Sequence, residues 1–330
     1  MTIQISIIGL GQIGASIGLA LSEKQDELHR VGYDLELDIA RRAEKMGAVD
    51  QVAINLPSGV RDANVVILSL PVDQIRETME IIAPELKEDA VVMDTAPINE
   101  VMLDWSAEIL PNRCHYISLT PVINPAYLFT NASGLEAAHS DLFQNGLMAI
   151  VVPPSANSDA VKLAADLTHI LGASPLFVDP AEIDGLMAAT HILPQLLAAS
   201  LLNITVDQPG WSECRKVTGR AYTEATSPIV HLDGSLPLSE SVLNNKENTL
   251  RVLDKTIAAL QELRVDIENQ DSDALEKYLE RAYQGRQAWW QERQSGDWLR
   301  LEGSPAVEIP SSAGIFGRLL GLGRRAKPME

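Results

Sequence analysis

The segment 3–18, IQISIIGLGQIGASIG, constrains this chain more than any other stretch. A near-continuous apolar run ends in Gly9, Gly11 and Gly14, the spacing G-x-G-x-x-G, where a strand gives way to a helix. Gly9 permits a tight turn, Gly11 lets a pyrophosphate approach the backbone, and Gly14 lets the helix lie close on the strand. Free N–H groups at the helix start then face the phosphates. The motif alone is weak, since such glycines also occur in ordinary turns. Its context is supplied by "RVGYD" (30 to 34), a second strand ending in Asp34, about twenty residues beyond Gly14 as a dinucleotide site requires. That carboxylate accepts hydrogen bonds from a ribose and repels a 2′-phosphate, and Leu35 follows where a phosphate-binding site would offer Arg or Ser. The expected cofactor is NAD, held by Gly9, Gly11, Gln12, Ile13, Gly14 and Asp34, with Leu70 and Pro71 of "SLPVDQI" beside them. An acid that merely caps the next helix is the competing reading of Asp34.

Further apolar runs at 64 to 71, 90 to 95, 114 to 120, 147 to 153 and 174 to 179 alternate with amphipathic stretches such as "DIARRAEKMGA" and "DQIRETMEIIAPEL". Strands without polar alternation are buried on both faces, and βαβα order gives a parallel sheet between two helix layers. The pattern changes at Pro180. "PAEIDGLMAATHILPQLLAASLLN" reads as one apolar helix kinked at Pro194, and long helices follow near 239 to 268 and 272 to 293. The expected fold is therefore α/β, with a Rossmann domain at 1–179, an all-helical domain at 180–295 and a flexible tail at 296–330. The tail holds a short apolar-basic piece at 315 to 325 whose Gly321 and Gly323 weaken a membrane-binding helix.

A net charge of −19 argues against nucleic acid and anionic membranes as partners. The cysteines, Cys114 and Cys214, have no CxxC partner, and no histidines pair at metal-ligand spacing, so no metal is expected. Without a basic leader, and with apolar runs shorter than the roughly 18 to 20 residues of a membrane span, the expectation is a cytoplasmic protein.

The strand in "HYISLTPVINP" (115 to 125) should deliver a reactive group at its end, yet offers only Ser118, Thr120 and Asn124 there. Together with the glycine loop, "VGYD", "VVMDT", "DPAEIDGLMAATHILPQLLA", "TGRAY" and "LNNKENTLRVL", the chain resembles the prephenate dehydrogenase family, arogenate dehydrogenases included, over about residues 3 to 293. The resemblance implies a helical domain that dimerises, an active site between the domains, and oxidative decarboxylation in tyrosine biosynthesis. Thr120-Pro121-Val122 corresponds to the family's His-Pro-Met, so the expected catalytic histidine is absent. Ala96-Pro97-Ile98-Asn99 corresponds to Gly-Ser-Val-Lys, so the serine is absent too. "THILPQ" corresponds, with one extra residue, to Ser-His-Leu-Pro-His, keeping His191 and placing Gln195 where the second histidine stood. Thr218-Gly219-Arg220 corresponds to the segment with the carboxylate-binding arginine, with Lys216 just before it, and Asn245 matches an asparagine on a dimer-interface helix.

These residues define the candidates. His191 is the expected base and Thr120 a hydroxyl beside it, while Arg220, Lys216 and Gln195 are expected to bind a small anionic substrate. A lone histidine on an apolar helix is often a core residue, and Arg215, Lys216 and Arg220 also suit a solvated surface. Three readings stay open: a prephenate or arogenate dehydrogenase with a rearranged site, a dehydrogenase of another anionic hydroxy compound, and a non-catalytic NAD-binding protein.

Overall fold

The protein is described by a computed structural model covering residues 3–24, 26–130, 132–230 and 234–296. The apolar-basic piece at 315 to 325 lies outside the described residues. Eight strands form one sheet: β1 (Ile3–Ile8), β2 (Leu28–Tyr33), β3 (Gln51–Val52), β4 (Val65–Leu68), β5 (Val91–Asp94), β6 (His115–Val122), β7 (Leu147–Val151) and β8 (Ser174–Phe177). Their order is β3-β2-β1-β4-β5-β6-β7-β8. Residues alternate between two cores, as strands buried on both faces must. Ile5 and Ile7 of β1, Ile67 of β4 and Met93 of β5 enter one cluster, while Ile8, Val66, Leu68 and Val92 enter the other.

Three details differ from the sequence reading. β3 is an additional strand, too short at 2 residues to register as an apolar run. The sheet is not wholly parallel, because β7 runs antiparallel to β6; the chain between them returns through an irregular loop rather than a crossover helix. β6 also continues through Pro121 to Val122. β5 pairs with it only as far as Ser118, so beyond that point one edge is open and a residue without an N–H is tolerated.

The helical part begins with one helix, Pro180–Val206. The helix runs on without a break through Pro194. A π-turn at Ala188–Ile192 absorbs the misfit, with the Leu193 N–H reaching back to the Ala188 carbonyl. By length and composition this helix is long and apolar enough to cross a bilayer, with 17% of its most apolar window buried within the chain, but a single such helix does not show a membrane span. The expected helix at 239 to 268 is divided into Ser235–Asn244 and Lys246–Glu268 at Asn245, whose side chain turns inward to the Asp184 carbonyl (2.8 Å). The polar stretch around Arg220 is not a plain connector but two short helices, Trp211–Val217 and Arg220–Thr226. The last helix, Ser272–Ser295, returns to the first domain, where Arg293 donates to the Ile123 carbonyl and Trp290 meets Phe129 edge-on at 5.2 Å.

Candidate active site

Strand order reverses direction between β1 and β4, and in such sheets the crevice outside the carboxyl ends at that point receives the ligand. Gly9 stands there with φ +90, a conformation that side chains resist, and a Cβ on it would lie 2.1 Å from the Ser69 carbonyl oxygen. A Cβ on Gly14 would lie 2.0 Å from the Gly9 carbonyl oxygen. These two glycines are required by the protein's own packing. Gly11 is different: a Cβ there would meet nothing within 4 Å. Its bare backbone, at the start of helix Gln12–Ala20, leaves open the space a pyrophosphate would fill.

Asp34 follows β2. Its Oδ2 accepts the Leu10 N–H (2.9 Å) and its Oδ1 the Glu36 N–H (2.9 Å), so it also ties down the glycine loop. A carboxylate has about four lone-pair sites, which leaves capacity for two ribose hydroxyls. Gln12 and Ile13 sit half-buried on the first turn of the helix. Leu70 packs partly into the second core cluster, and Pro71 precedes helix Val72–Ile82. All the residues assigned to the cofactor thus gather along one edge, and the donor set fits an NAD-type dinucleotide.

The second half of the site lies beyond β5 and β6. Helix Pro180–Val206 packs here through Ile192, which is fully buried in the cluster that contains Ala96 and Ile98. His191 is next to it, within the π-turn. Its ring reaches solvent in the single chain, yet surrounding protein lowers its pKa below the usual 6.5 by desolvation. Both hold for a ring in a cleft, with one edge wet and the rest crowded. The Gln195 amide donates to the His191 carbonyl oxygen (2.8 Å), not to its ring.

Thr120 is not presented to the cleft. It is 3% exposed and its hydroxyl donates to the Ala96 carbonyl (3.2 Å), so the residue at the position of the family histidine supports the turn after β5. Asn124 accepts the Ala126 N–H and donates to the Asp141 carbonyl, holding the loop after β6.

Arg220 and Lys216 also fall elsewhere. Arg220 pairs with Glu224 (2.7 Å) and Lys216 with Glu213 (2.9 Å), each on its own helix and well exposed. Tyr222 bonds Thr205, roughly 20 Å along the long helix from His191 at 1.5 Å per residue. Within one chain these cations and His191 therefore do not share a site.

Sequence reasoning missed a buried polar network between the two halves. Asp184 accepts from the Asn99 N–H (2.6 Å), the Glu100 N–H (3.0 Å) and the Asn99 side-chain amide (3.0 Å). Asn99 accepts from Ser118 (2.9 Å), and Asn245 accepts from Asn248, which accepts from Arg251. Burial pushes the Asp184 carboxyl above its ordinary range, against the pull of these donors. Beside it Asp94 accepts from the Tyr116 hydroxyl and the Ala96 N–H, and burial raises its pKa to about 6. The only signal for this network in the sequence was the grouping of Asn and Asp in "DTAPIN", "EIDG" and "NNKEN".

The chain matches two family descriptions in succession: "Prephenate dehydrogenase, nucleotide-binding domain" over residues 17–175 and "Prephenate dehydrogenase, dimerization domain" over residues 179–281. It is 26% identical over 324 residues to a prephenate dehydrogenase of Bacillus subtilis, covering 96% of this chain and 83% of that protein. It is also 26% identical over 292 residues to a cyclohexadienyl dehydrogenase of Zymomonas mobilis, covering 86% and 95%. Among solved structures, the prephenate dehydrogenase of A. aeolicus in complex with hydroxyphenyl propionate and NAD+ superposes with TM-score 0.76 at 20% identity, over 87% of this chain and 98% of that one.

Proposed function

Because the chain belongs to the prephenate dehydrogenase family, we propose that it oxidises prephenate or arogenate with NAD, His191 acting as the proton acceptor. What supports this reading is the packing of Ile192, the residue after His191, into the cluster that holds Ile8, Leu68 and Leu70 beside the glycine loop and Asp34. The chain is an NAD-dependent dehydrogenase of the prephenate and arogenate type.

NAD bound at the glycine crevice and Asp34 would supply the acceptor for the hydride on the ring carbon that bears the hydroxyl. The hydroxyl proton needs an acceptor, and a histidine held below 6.5 is neutral at pH 7 and able to accept it. The C–C bond to the ring carboxylate breaks, carbon dioxide leaves, and the bonding pair completes the aromatic ring. The buried Thr120 hydroxyl, bonded to the Asn99 amide and the Ala96 carbonyl, takes no part in the proton transfer.

Recognition of the carboxylates is assigned to Arg220 and Lys216, working at the interface of a homodimer. Their helical hairpin carries Val217 and Val230, 82% and 69% exposed, so it belongs to a face that a second copy covers. That copy, rather than the same chain's His191, is then the near neighbour. Such a soluble biosynthetic dimer fits the cytoplasm.

NADH absorbance with purified protein and prephenate, arogenate and a set of hydroxy acids tests the reading. His191→Asn should lower kcat by about 10²-fold or more with NAD binding kept. Mixing His191→Asn with Arg220→Ala should restore activity if the site is shared between subunits. Thr120→His should not help, because the side chain points into packed protein. Inertness toward every substrate with NAD still bound would leave the non-catalytic reading.

A further inference from the structure

The proposed chemistry makes no use of the Asp184 carboxylate, although it is 2% exposed and bonded on both oxygens. Its donors are all neutral: two N–H groups at the start of helix Glu100–Ile109 and one amide. An anion at the unsatisfied N–H groups of a helix start is well held. The two partners, 85 residues apart, belong to different domains. On the other side Asn245, at the break between two helices, donates to the Asp184 carbonyl and fixes the same residue from behind.

We propose that Asp184 is a positioning residue, which pins the helix carrying His191 to the start of helix Glu100–Ile109 and so sets the imidazole against the hydroxyl whose proton it accepts. The proposal rests on the dehydrogenase reading above. Seven residues of helix separate Asp184 from His191, about 10 Å or two turns, a stiff arm that carries any displacement onward. The π-turn at Ala188–Ile192 gives this helix a place where its register can slip. Asp184 lies before that turn and Ile192 at its end, so the two anchors bracket it. Displacing a catalytic group by about 1 Å costs on the order of 10² in rate, whereas cofactor binding uses other residues at the β1 and β2 ends.

The test is Asp184→Asn in the full-length protein, which keeps shape but removes the charge at the helix start and sets an NH2 group against the Glu100 N–H. We expect kcat to fall about 10²-fold and KM to change far less. NAD affinity should stay within about twofold, since no Asp184 bond reaches the glycine loop. The deuterium isotope effect with substrate labelled at the oxidised carbon should rise. Exchange at the Asn99 and Glu100 amides should lose protection. Asn99→Ala removes one of the three bonds and should show a smaller effect in the same direction; it carries the test if Asp184→Asn does not fold. Unchanged kcat overturns the proposal, as does a parallel loss of kcat, NAD binding and melting temperature. Should the wild type oxidise no substrate, the dehydrogenase reading fails separately. Amide exchange still decides the pin: local loss of protection supports it, and none overturns it.

Discussion

The two domains differ in where their stability comes from. The nucleotide domain has two clusters of fully buried aliphatic residues, one on each face of its sheet. From Pro180 onward the buried apolar residues, among those described, are Ile183, Ala188, Ile192, Ala198 and Val252. Ile183 and Ile192 of these pack into clusters centred on the sheet. Meanwhile Ile204, Leu250, Ile257, Leu260, Val265, Ile267 and Leu279 each expose 45% or more of their surface. The first domain closes its cores within one chain, whereas the second leaves a broad apolar helix surface uncovered. A dimerisation domain is what such a half-core implies.

The hardest test of that contrast is to separate the halves. Residues 3–179 should fold alone, unfold cooperatively and retain NAD binding. Residues 180–296 should be helical only at concentrations where they associate, by circular dichroism and sedimentation run together. A cooperatively melting monomer of 180–296 would remove the contrast altogether. Next in size is Ile257→Glu with Leu260→Glu. Burying two carboxylates without partners should weaken dimerisation by about 10³-fold or more in light scattering, while NAD titration is unchanged.

A smaller effect sharpens the first domain's side. Asp94, fully buried, has its pKa raised from 3.8 to about 6. Between about pH 4 and pH 6 the native state keeps a proton that the unfolded chain releases, so this group's stabilising contribution is present below pH 4 and lost as pH rises through 6. The loss is at most about 3 kcal/mol. Asp94→Asn should flatten that part of the urea-unfolding profile, and a pH dependence parallel to wild type would contradict the assignment. The smallest change expected is Asp34→Ala. It should reduce the preference for NAD over NADP about tenfold by calorimetry, the worth of a charged hydrogen bond, and leave the dimer intact.

What was legible in the sequence follows from range. Gly9, Gly14 and Asp34 act through neighbours close in the chain or through strand order, and short spacing carries that. The apolar runs announced β1, β2 and β4 to β8 for the same reason. The direction of β7 was not legible, since it depends on where a long loop returns. Thr120 was misjudged because a strand's end was placed from the proline after it, while pairing with β7 carries the strand further. Arg220 shows a different limit. Its correspondence with a family motif says what the group can bind, not which subunit's cleft it reaches. The network through Asn99, Asp184 and Asn245 joins residues 85 and 61 positions apart, and single polar letters carry no trace of such partners.

The π-turn in helix Pro180–Val206 has a geometric consequence. One extra residue in a turn rotates everything after it by roughly 100° about the axis. Before it Ile183 and Asp184 are buried, and within it Ala188 and Ile192; after it, Leu197, Ile204 and Val206 are exposed. The same rod therefore lies against the nucleotide domain with its first half, while much of its second half stays uncovered within one chain.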